Sequence, residues 1–493
     1  MTEMADVSLG ATAPQAPVGL PLCVDLDGTL LAIDSLQETV VDAVRRDWRV
    51  LFRLPGWLLQ GRAMLKRHLA DAAPVDPALL PYNHDFLDWV KEERRSGRSL
   101  ILATASDRRT AEAVAEHLGI FDAVIATDGE NNLKGAAKAD QLCKRFGERG
   151  FAYAGNDKAD LAVWPRAGGA VVVRANAGVT RRARAMTQVE REFPRKGNRL
   201  LLLARAMRLY QWVKNLLVFA APAAAHQLLV PDILAGSLLM FLSFGLTASG
   251  IYLMNDVADL PSDRQHPRKR LRPFASGALP VMAGLIGGPA LVLLGLLIAA
   301  GLGASSLVVL ISYAIISTAY SLGLKKLPLV DVFILAGLYT IRIVAGGMAT
   351  NIFVSHWLLS ASGFFFLGLA FLKRFVELNQ MDDGESNAGS RRGYSPGDTQ
   401  VLMMMGVSSG FIACLVLALY VSSEPAIQYY AQPGLLWGVV PLACFWICRL
   451  WLSGLRGYVH DDPIVYAAKD WVSHCVLAAS ALLAIGASVG LGR

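Results

Sequence analysis

The sequence predicts a multidomain protein in which an α/β domain is followed by an all-α membrane domain. The 493 residues are 54% hydrophobic and 18% charged, which is too apolar for a soluble protein of this length and typical of a polytopic membrane protein. Charged residues are mixed into the first 200 positions, whereas long apolar runs dominate from about Leu209 onward. Within the first part, short apolar runs alternate with helical patterns, which indicates a parallel sheet covered by helices.

These observations divide the chain into four parts. We expect a disordered tail over 1–20, an α/β domain of the Rossmann-like type over 21–178, a basic linker or interfacial helix over 179–208, and a membrane domain over 209–493. The apolar runs PLCVDL, SLILAT, DAVIAT, FAYAG and AVVVR predict five strands in the α/β domain. A helical insert from Glu38 to Ala73 predicts a small cap over its site.

Polar residues follow the predicted strands, where ligands bind in parallel α/β folds. Asp25 and Asp27 lie two positions apart at the end of the first strand, so both can face one crevice, and Gly28 permits a tight turn. The other candidates are Thr104 after the second strand, Lys138 in a helix, and Asn156, Asp157 and Asp160 after the fourth strand. Paired carboxylates repel each other unless a divalent cation binds, and a hydroxyl with a lysine suits a phosphate.

These four motifs, in this order, resemble those of the haloacid dehalogenase (HAD) phosphatase superfamily. The resemblance implies that Asp25 is the nucleophile that becomes phosphorylated and that Asp27 is the general acid and base. It also implies that Thr104 and Lys138 bind the transferred phosphoryl group. The implied Mg²⁺ ligands are drawn from Asp25, Asp27, Asn156, Asp157 and Asp160. The family commonly has an aspartate where this chain has Asn156, so either Asn156 or Asp157 completes the set with Asp160.

The membrane domain is predicted to have about nine transmembrane helices. Their approximate limits are 211–228, 233–254, 282–302, 304–323, 329–349, 355–373, 401–421, 433–452 and 470–490. Lysine and arginine occur in the loops after the second, fourth, sixth and eighth spans and are absent from the loops after the first, third, fifth and seventh. The positive-inside rule therefore predicts a bacterial inner-membrane protein with its N-terminal domain and active sites in the cytoplasm and its C-terminus outside.

The loop after the second predicted span combines acidic and basic residues. Asn255, Asp256, Asp259 and Asp263 fall at helical spacing, and so much negative charge beside a membrane is unfavourable unless cations bind. A basic cluster follows at Arg264, Arg268, Lys269, Arg270 and Arg272. Carboxylates for Mg²⁺ beside a basic cluster suit a diphosphate. The alternative is a solvated loop whose charges pair with one another.

The NDxxDxxxD pattern resembles the first aspartate-rich motif of the UbiA prenyltransferase superfamily, over roughly 205–490. That resemblance implies a UbiA fold of nine spans and a Mg²⁺–diphosphate site shared with a second polar loop after the sixth span. Here the second loop departs from the usual pattern, because Lys373, Arg374 and Glu377 come first and Asp382 and Asp383 only later.

The segments RLYQWVKNLLVFAAP, HPRKRLRP, YSLGLKK and IRIVAGG are similar to those of one UbiA branch, the decaprenyl-phosphate phosphoribosyltransferases. That branch transfers 5-phosphoribose from phosphoribosyl pyrophosphate (PRPP) to a polyprenyl phosphate. The resemblance implies that Mg²⁺ at Asn255, Asp256 and Asp259 holds the leaving pyrophosphate and that Asp263 holds ribose or a second ion. Asp256 and Asp259 would be catalytic. The implied phosphate and substrate contacts are Lys214, Asn215, His266, Arg268, Lys269, Arg272, Lys325 and Lys373.

Transfer from PRPP leaves a 5-phosphate on the lipid-linked ribose, and the N-terminal domain would remove it. We therefore expect a bifunctional enzyme that makes a polyprenyl-phosphoryl-ribose, a precursor for arabinose-type cell-envelope glycans. The alternative is a UbiA aromatic prenyltransferase using a prenyl diphosphate, with the N-terminal domain acting separately or as an inactive scaffold. The expected partners are PRPP, polyprenyl phosphate, the lipid bilayer and a second copy of the chain. Nucleic acid is not expected, because no aromatic platform accompanies the basic residues.

Overall fold

The computed structural model describes residues 19–128, 132–195, 197–380, 393–459 and 462–489. Residues 1–18 of the tail predicted over 1–20, and the acidic pair Asp382 and Asp383, lie outside these residues. The chain divides into two compact units. The first reaches to Ala206 and also takes in Asp256–Leu285, and the second comprises Met207–Asn255 and the chain from Ile286 onward.

The first unit contains a six-stranded sheet in which every neighbouring pair is parallel, in the order β3-β2-β1-β4-β5-β6. The strands are β1 Leu22–Val24, β2 Leu100–Asp107, β3 Ala123–Thr127, β4 Ala152–Gly155, β5 Gly169–Val173 and β6 Val189–Phe193. The central strands β1, β4 and β5 are buried along their whole length, as expected for a parallel sheet with helices on both faces. The predicted α/β fold is confirmed.

The α-helices are numbered in chain order. In and near the first unit they are α1 Ser35–Arg46, α2 Val50–Leu59, α3 Arg62–Ala72, α4 His84–Arg95, α5 Arg108–Leu118, α6 Ala136–Phe146, α7 Ala177–Met186 and α8 Arg199–Ala206. They continue as α9 Ala220–Ala224, α10 Pro231–Ala258, α11 Leu260–Gln265, α12 Val281–Leu302, α13 Ala304–Leu322, α14 Val330–Thr350 and α15 His356–Asn379. The last five are α16 Thr399–Val421, α17 Glu424–Tyr429, α18 Val439–Leu455, α19 Pro463–Ala467 and α20 Trp471–Val489.

Helices α1, α2 and α3 form the helical insert that the sequence predicts as a cap. They share a small apolar core of their own around Val50 and Leu69. Asp34 precedes α1 and accepts hydrogen bonds from the backbone N–H groups of Leu36 and Gln37, which fixes where the cap begins.

The sheet continues beyond residue 178, where the sequence placed the end of the domain. Helix α7 and strand β6 occupy much of the segment predicted as a linker, and β6 pairs with β5. The arginines of this segment suggested a basic linker, whereas VEREF forms an edge strand in which Glu190 and Arg191 are exposed. Arg98 anchors it through an ion pair of 2.9 Å with Glu190.

The second unit is built from long apolar helices. Eight helices of the described residues are long and apolar enough to cross a membrane, namely those containing α10, α12, α13, α14, α15, α16, α18 and α20. The segment predicted as the first span takes a different form, a 3₁₀ helix over Leu209–Phe219 followed by the short helix α9. Lys214 and Asn215 are buried within it, and their side-chain contacts favour this local form over a uniform apolar helix.

Candidate active sites

Asp25 lies directly after β1 and forms a buried ion pair with Lys138. The Lys138 Nζ, on α6, is 2.7 Å from Asp25 Oδ1 and 2.8 Å from the hydroxyl of Tyr153. Burial raises the pKa of Asp25 to about 7, although Lys138 acts to lower it. Both predicted residues therefore meet at the carboxyl end of the central strands, and Tyr153, which the sequence analysis missed inside a strand, joins them.

Asp27 is held by the beginning of the cap and by the end of β2. Its carboxylate accepts a hydrogen bond of 2.7 Å from the backbone N–H of Ser35 and one from the hydroxyl of Ser106. The predicted phosphate ligand Thr104 is buried instead, and its hydroxyl oxygen accepts the backbone N–H of Ser106 at 3.0 Å. Ser106, two positions after the predicted Thr104, is thus the hydroxyl that contacts a catalytic candidate.

Gly28 allows the loop after β1 to turn back beneath the end of β4. Its φ is +72°, a left-handed value that favours glycine. A Cβ at this position would lie 2.0 Å from the side-chain nitrogen of Asn156. Two requirements therefore fix glycine here, the backbone angle and the close approach of Asn156.

Asp160 organises the loop after β4. One of its oxygens accepts the backbone N–H groups of Asn156 and Asp157 at 2.8 and 2.9 Å, and the other accepts the hydroxyl of Tyr153 at 2.8 Å. Because both oxygens are engaged within the protein, Asp160 positions the loop. Asn156 and Asp157 are more exposed and remain available to a ligand.

These residues line one cavity of about 610 Å³ at the carboxyl edge of the sheet. Asp25, Asp27, Lys138, Asn156 and Asp157 contribute to its wall. Its size suits a small organic ligand rather than a lone phosphate ion. The sequence had indicated the acidic part of this wall and Lys138.

Lys66 is a cavity residue that the sequence analysis missed. From α3 of the cap, its Nζ donates to the backbone oxygen of Ala105 at 2.5 Å and to the side-chain oxygen of Asn132 at 2.9 Å. Burial lowers the pKa of Lys66. A lysine in a cap helix gives no local sequence signal, because only the fold brings it to the end of β2.

The oxygen donors of this cavity fit a magnesium ion that also contacts a substrate phosphate. Among the described residues, no group of three or more His, Cys, Asp or Glu side chains is arranged to hold a metal unaided. Magnesium is commonly bound by one or two carboxylates together with substrate phosphate oxygens. Asp25 with Asp157 or Asn156 supplies such a partial set in the cavity wall.

The aspartate-rich segment begins near the end of α10 and continues through α11. The Arg272 Nη1 lies 2.7 Å from Asp263 Oδ2 and 3.3 Å from Asp256 Oδ1, so a single nitrogen bridges two carboxylates. Burial raises the pKa of Asp263, and the neighbouring Asp256 raises it further. Asp259 lies exposed just before α11. Asp256 and Asp263 therefore share one arginine, and carboxylate oxygens of this kind are ligands that Mg²⁺ prefers.

The other basic residues of this segment do not share one role. Arg264 forms an ion pair of 2.6 Å with Glu38 of the cap, and each side chain is only 10% exposed. His266 accepts the backbone N–H of Arg268 at 3.2 Å. Arg268 and Lys269 are exposed. Of the basic cluster predicted for phosphate, Arg272 donates hydrogen bonds to Asp256 and Asp263, and the charge of Lys269 acts on Asp263.

A second polar centre lies within the helical unit around Asp462. Its Oδ2 is 2.5 Å from Lys214 Nζ and 3.3 Å from Lys373 Nζ. The hydroxyl of Tyr339 donates to the same oxygen at 3.2 Å. Burial acts to raise the pKa of Asp462, but the two lysines hold it below its usual value. The sequence predicted both lysines and missed Asp462, which precedes α19 and is 248 residues from Lys214.

The remaining predicted residues of the helical unit lie at separate contacts. Asn215 accepts a hydrogen bond of 2.9 Å from Arg342 Nε, and Arg342 was not predicted. Asn255 donates to the Ser321 hydroxyl at 2.9 Å. Lys325 lies in the 3₁₀ turn Leu324–Lys326.

The predicted second polar loop begins as helix. Lys373, Arg374 and Glu377 belong to α15. Arg374 forms a fully buried ion pair of 2.8 Å with Asp331 of α14, and Tyr394 donates to Asp331 at 2.6 Å. Arg374 therefore joins two helices rather than facing a substrate.

Two family models match the chain. The UbiA prenyltransferase family matches 216–466, and the haloacid dehalogenase-like hydrolase family matches 22–163. An uncharacterized protein of Sinorhizobium fredii, y4nM, is 36% identical over 94% of this chain and 91% of its own length. The decaprenyl-phosphate phosphoribosyltransferase of Mycobacterium tuberculosis is 31% identical over 59% of this chain and 95% of its own.

A solved structure of a UbiA homologue from Archaeoglobus fulgidus, bound to DMAPP and Mg²⁺, covers 57% of this chain and 98% of its own. It is 16% identical, with a TM-score of 0.44. The family matches follow the division seen in sequence, with the hydrolase model over the sheet and the UbiA model over the apolar helices. The chain therefore belongs to the UbiA prenyltransferase family and carries a haloacid dehalogenase-like domain at its N-terminus.

Proposed function

We propose that this chain is a bifunctional enzyme that transfers 5-phosphoribose from PRPP to a polyprenyl phosphate and then removes the 5-phosphate. The transfer is supported by the similarity to a decaprenyl-phosphate phosphoribosyltransferase over nearly that protein's whole length. The removal is supported by the haloacid dehalogenase-like domain and its Asp25, Asp27 and Lys138. The product would be a polyprenyl-phosphoryl-ribose, a precursor for arabinose-type glycans.

In the transfer step, an oxygen of the lipid phosphate attacks the anomeric carbon of PRPP, and the bond to pyrophosphate breaks. Asp256, Asp259 and Asp263 would hold Mg²⁺, which offsets the charge of the departing pyrophosphate. Arg272, already hydrogen-bonded to Asp256 and Asp263, would fix their orientation and contact a phosphate oxygen. Within the helical unit, Lys214 and Lys373 would bind phosphate in place of Asp462.

In the removal step, an Asp25 oxygen attacks the phosphorus of the 5-phosphate and the bond from phosphorus to the ribose 5-oxygen breaks. Asp27 gives its proton to that oxygen and later accepts one from the water that releases phosphate from Asp25. Lys138 neutralises charge on Asp25 and on the phosphoryl group. Mg²⁺ at Asp25 and Asp157 or Asn156 would supply further charge neutralisation when bound.

One observation connects the two activities. Gly277, Pro280 and Val281, which follow the aspartate-rich residues in the same segment, form part of the wall of the phosphatase cavity. A movement of this segment would therefore change both the aspartates proposed for transfer and the wall of the cavity proposed for dephosphorylation. A fusion with one lipid-linked substrate explains that arrangement, whereas aromatic prenylation leaves the phosphatase without a role.

The orientation belongs to the same proposal. The chain is a multi-pass membrane protein. The basic residues of the alternate loops support an orientation in which the N-terminal domain and both sites face the cytoplasm, where PRPP is soluble.

The test is to incubate the purified full-length protein with Mg²⁺, a polyprenyl phosphate and PRPP labelled in the ribose, and to analyse the lipid by mass spectrometry. We expect ribosylated lipid without the 5-phosphate. Asp25→Asn should accumulate the 5-phosphorylated lipid, because the nucleophile is lost while transfer continues. Asp256→Asn should yield neither lipid.

A parallel reaction replaces PRPP and the lipid phosphate by a prenyl diphosphate and an aromatic acceptor. Prenylated aromatic product in that reaction, with no ribosylated lipid in the first, would refute the proposal. If Asp25→Asn still removes the 5-phosphate from the lipid completely, the phosphatase assignment is refuted and the transferase assignment stands.

A further inference from the structure

The phosphatase cavity has a basic side that the removal of one phosphate does not use. Arg174, Arg195 and Arg199 line it together with the catalytic aspartates. Arg174 directly follows β5, and Arg195 comes two residues after β6. In the sheet order, β5 and β6 lie on the far side of β4 from β1. The arginines therefore extend the carboxyl edge of the sheet away from Asp25.

The three arginines are close to one another and lack acidic partners. Burial lowers the pKa of both Arg174 and Arg195. Repulsion from Arg195 lowers the pKa of Arg174 further, and repulsion from Arg199 does the same to Arg195. No carboxylate of the described residues forms an ion pair with any of the three, although the chain pairs many of its other arginines. An uncompensated cluster of this kind is unfavourable unless an anion binds.

Hydrogen bonds to the backbone hold the guanidinium groups of Arg174 and Arg195 in place but use only some of their N–H donors. Arg174 donates to the backbone oxygen of Gly277 at 3.0 Å, and Arg195 donates to that of Ala278 at 2.7 Å. Each of these bonds uses a single Nη2 nitrogen, whereas a guanidinium carries five N–H donors. The other donors can contact phosphate oxygens in pairs, the geometry in which arginine binds phosphate best.

We infer that Arg174, Arg195 and Arg199 form a second anion subsite, which binds the phosphodiester that joins the ribose to the lipid. This inference rests on the proposed function, because it assigns the far end of the same substrate. With the 5-phosphate at Asp25 and Lys138, the ribose lies along the end of β4 and the phosphodiester reaches the arginines. The subsite therefore selects a lipid-linked ribose phosphate over a free sugar phosphate that has one anionic group.

The test compares three substrates on the full-length protein: ribose 5-phosphate, a short-chain polyprenyl-phosphoryl-ribose 5-phosphate, and PRPP. Phosphate release is measured for the wild type, Arg195→Gln and Arg199→Gln. We expect both variants to raise KM for the lipid diester by roughly tenfold to a hundredfold, the effect of losing one or two charged hydrogen bonds. The kinetics with ribose 5-phosphate should change less than about twofold, because that substrate does not reach the subsite.

Arg199→Gln is the variant least expected to misfold, since Arg199 is exposed and its side chain forms no hydrogen bond or ion pair with another described residue. Arg182→Gln is the matched control, because Arg182 is an exposed arginine of α7 outside the cavity wall. It should behave as the wild type with all three substrates. Thermal unfolding of each variant checks that the fold is retained.

The outcomes separate the subsite from the function on which it rests. If the wild type and both variants hydrolyse the diester equally well, the subsite is refuted. It is also refuted if the variants lose as much activity with ribose 5-phosphate as they lose with the diester. If the variants lose activity with PRPP alone, the arginines bind a pyrophosphate, and the proposal that they bind the phosphodiester is refuted. Failure of the wild type to hydrolyse the diester at all would instead refute the proposed function, and the subsite with it.

Discussion

At the scale of single residues, the two candidate sites show what sequence spacing can and cannot predict. Asp25 and Asp27 were identifiable because alternate residues at a strand end face one crevice, and Lys138 because it occurs in a fixed motif order. Lys66, Ser106 and Asp462 were not, since their partners lie far away in the chain or on another element. Local patterns indicate which residues can do chemistry, but tertiary contacts decide which of them meet.

Gly28→Ala tests the close approach beneath the phosphatase site. We expect a loss of stability of at least about 1–2 kcal/mol, because an L-residue is strained at the positive φ and its Cβ would displace Asn156. Phosphatase activity should fall strongly while transferase activity is retained. Gly56→Ala in the exposed part of α2 is the control, since a Cβ there meets no atom within 4 Å. Equal effects of the two substitutions would contradict the prediction.

Asp462→Asn tests whether Lys214 and Lys373 form a phosphate site. Without the carboxylate the two lysines face each other near a buried position, so the protein should be destabilised by about 3–5 kcal/mol. Added pyrophosphate should raise the melting temperature of this variant more than that of the wild type, because the anion replaces the lost charge. Asp470→Asn, which removes a different carboxylate paired with Arg449, should show no such gain. The same gain in both variants would argue against the phosphate site.

At the scale of elements, the sequence predicted the strands and long helices well, because the strands are short apolar runs and the long helices are apolar runs of about 20 residues. It misplaced two kinds of segment. Strand β6 was predicted as part of a linker because it lies in an arginine-rich stretch, and its pairing with β5 makes it a strand. The start of the helical unit was read as a regular span, whereas Lys214 and Asn215 turn their side chains to partners on other helices.

The pair between α14 and α15 gives a prediction about helix packing. Arg374→Met alone should lower the free energy of unfolding by about 3–5 kcal/mol, since Asp331 is left as a fully buried charge without its cation. Asp331→Asn alone should cost less, because Arg374 keeps its second partner, Glu377. The double variant should recover a large part of the Arg374→Met loss, because the carboxylate that then lacks Arg374, that of Glu377, is partly exposed. Thermal unfolding in detergent measures all three. Additive losses in the double variant would show that the two residues act independently.

At the scale of the whole molecule, the first unit is assembled from two stretches of chain that are distant in sequence. Its sheet and cap come from the N-terminal part, and the segment Asp256–Leu285 completes it. The sequence analysis assigned that segment to the membrane domain, because contacts such as Arg264 to Glu38 link residues 226 positions apart. No periodicity or motif in a sequence indicates a contact between residues so far apart in the chain.

Arg264→Gln tests whether the cap depends on the aspartate-rich segment. The pair with Glu38 is largely buried, so its loss should weaken the attachment of α1 to α11 and raise the phosphatase KM several-fold, although Arg264 is not a catalytic candidate. Arg45→Gln is the control, since it removes an exposed pair with Asp42 and should change stability by less than about 1 kcal/mol. An unchanged KM in Arg264→Gln would mean that the cap is held by other contacts.

The discontinuous first unit has a consequence for biosynthesis. Gly277, Pro280 and Val281 complete the cavity, yet they leave the ribosome only after α10 has been made. The sheet and cap can fold earlier, but α10, the first long apolar helix, is synthesised before the segment that supplies the last part of the cavity wall. The cavity is therefore completed only on a nascent chain that already contains a helix long and apolar enough to cross a membrane.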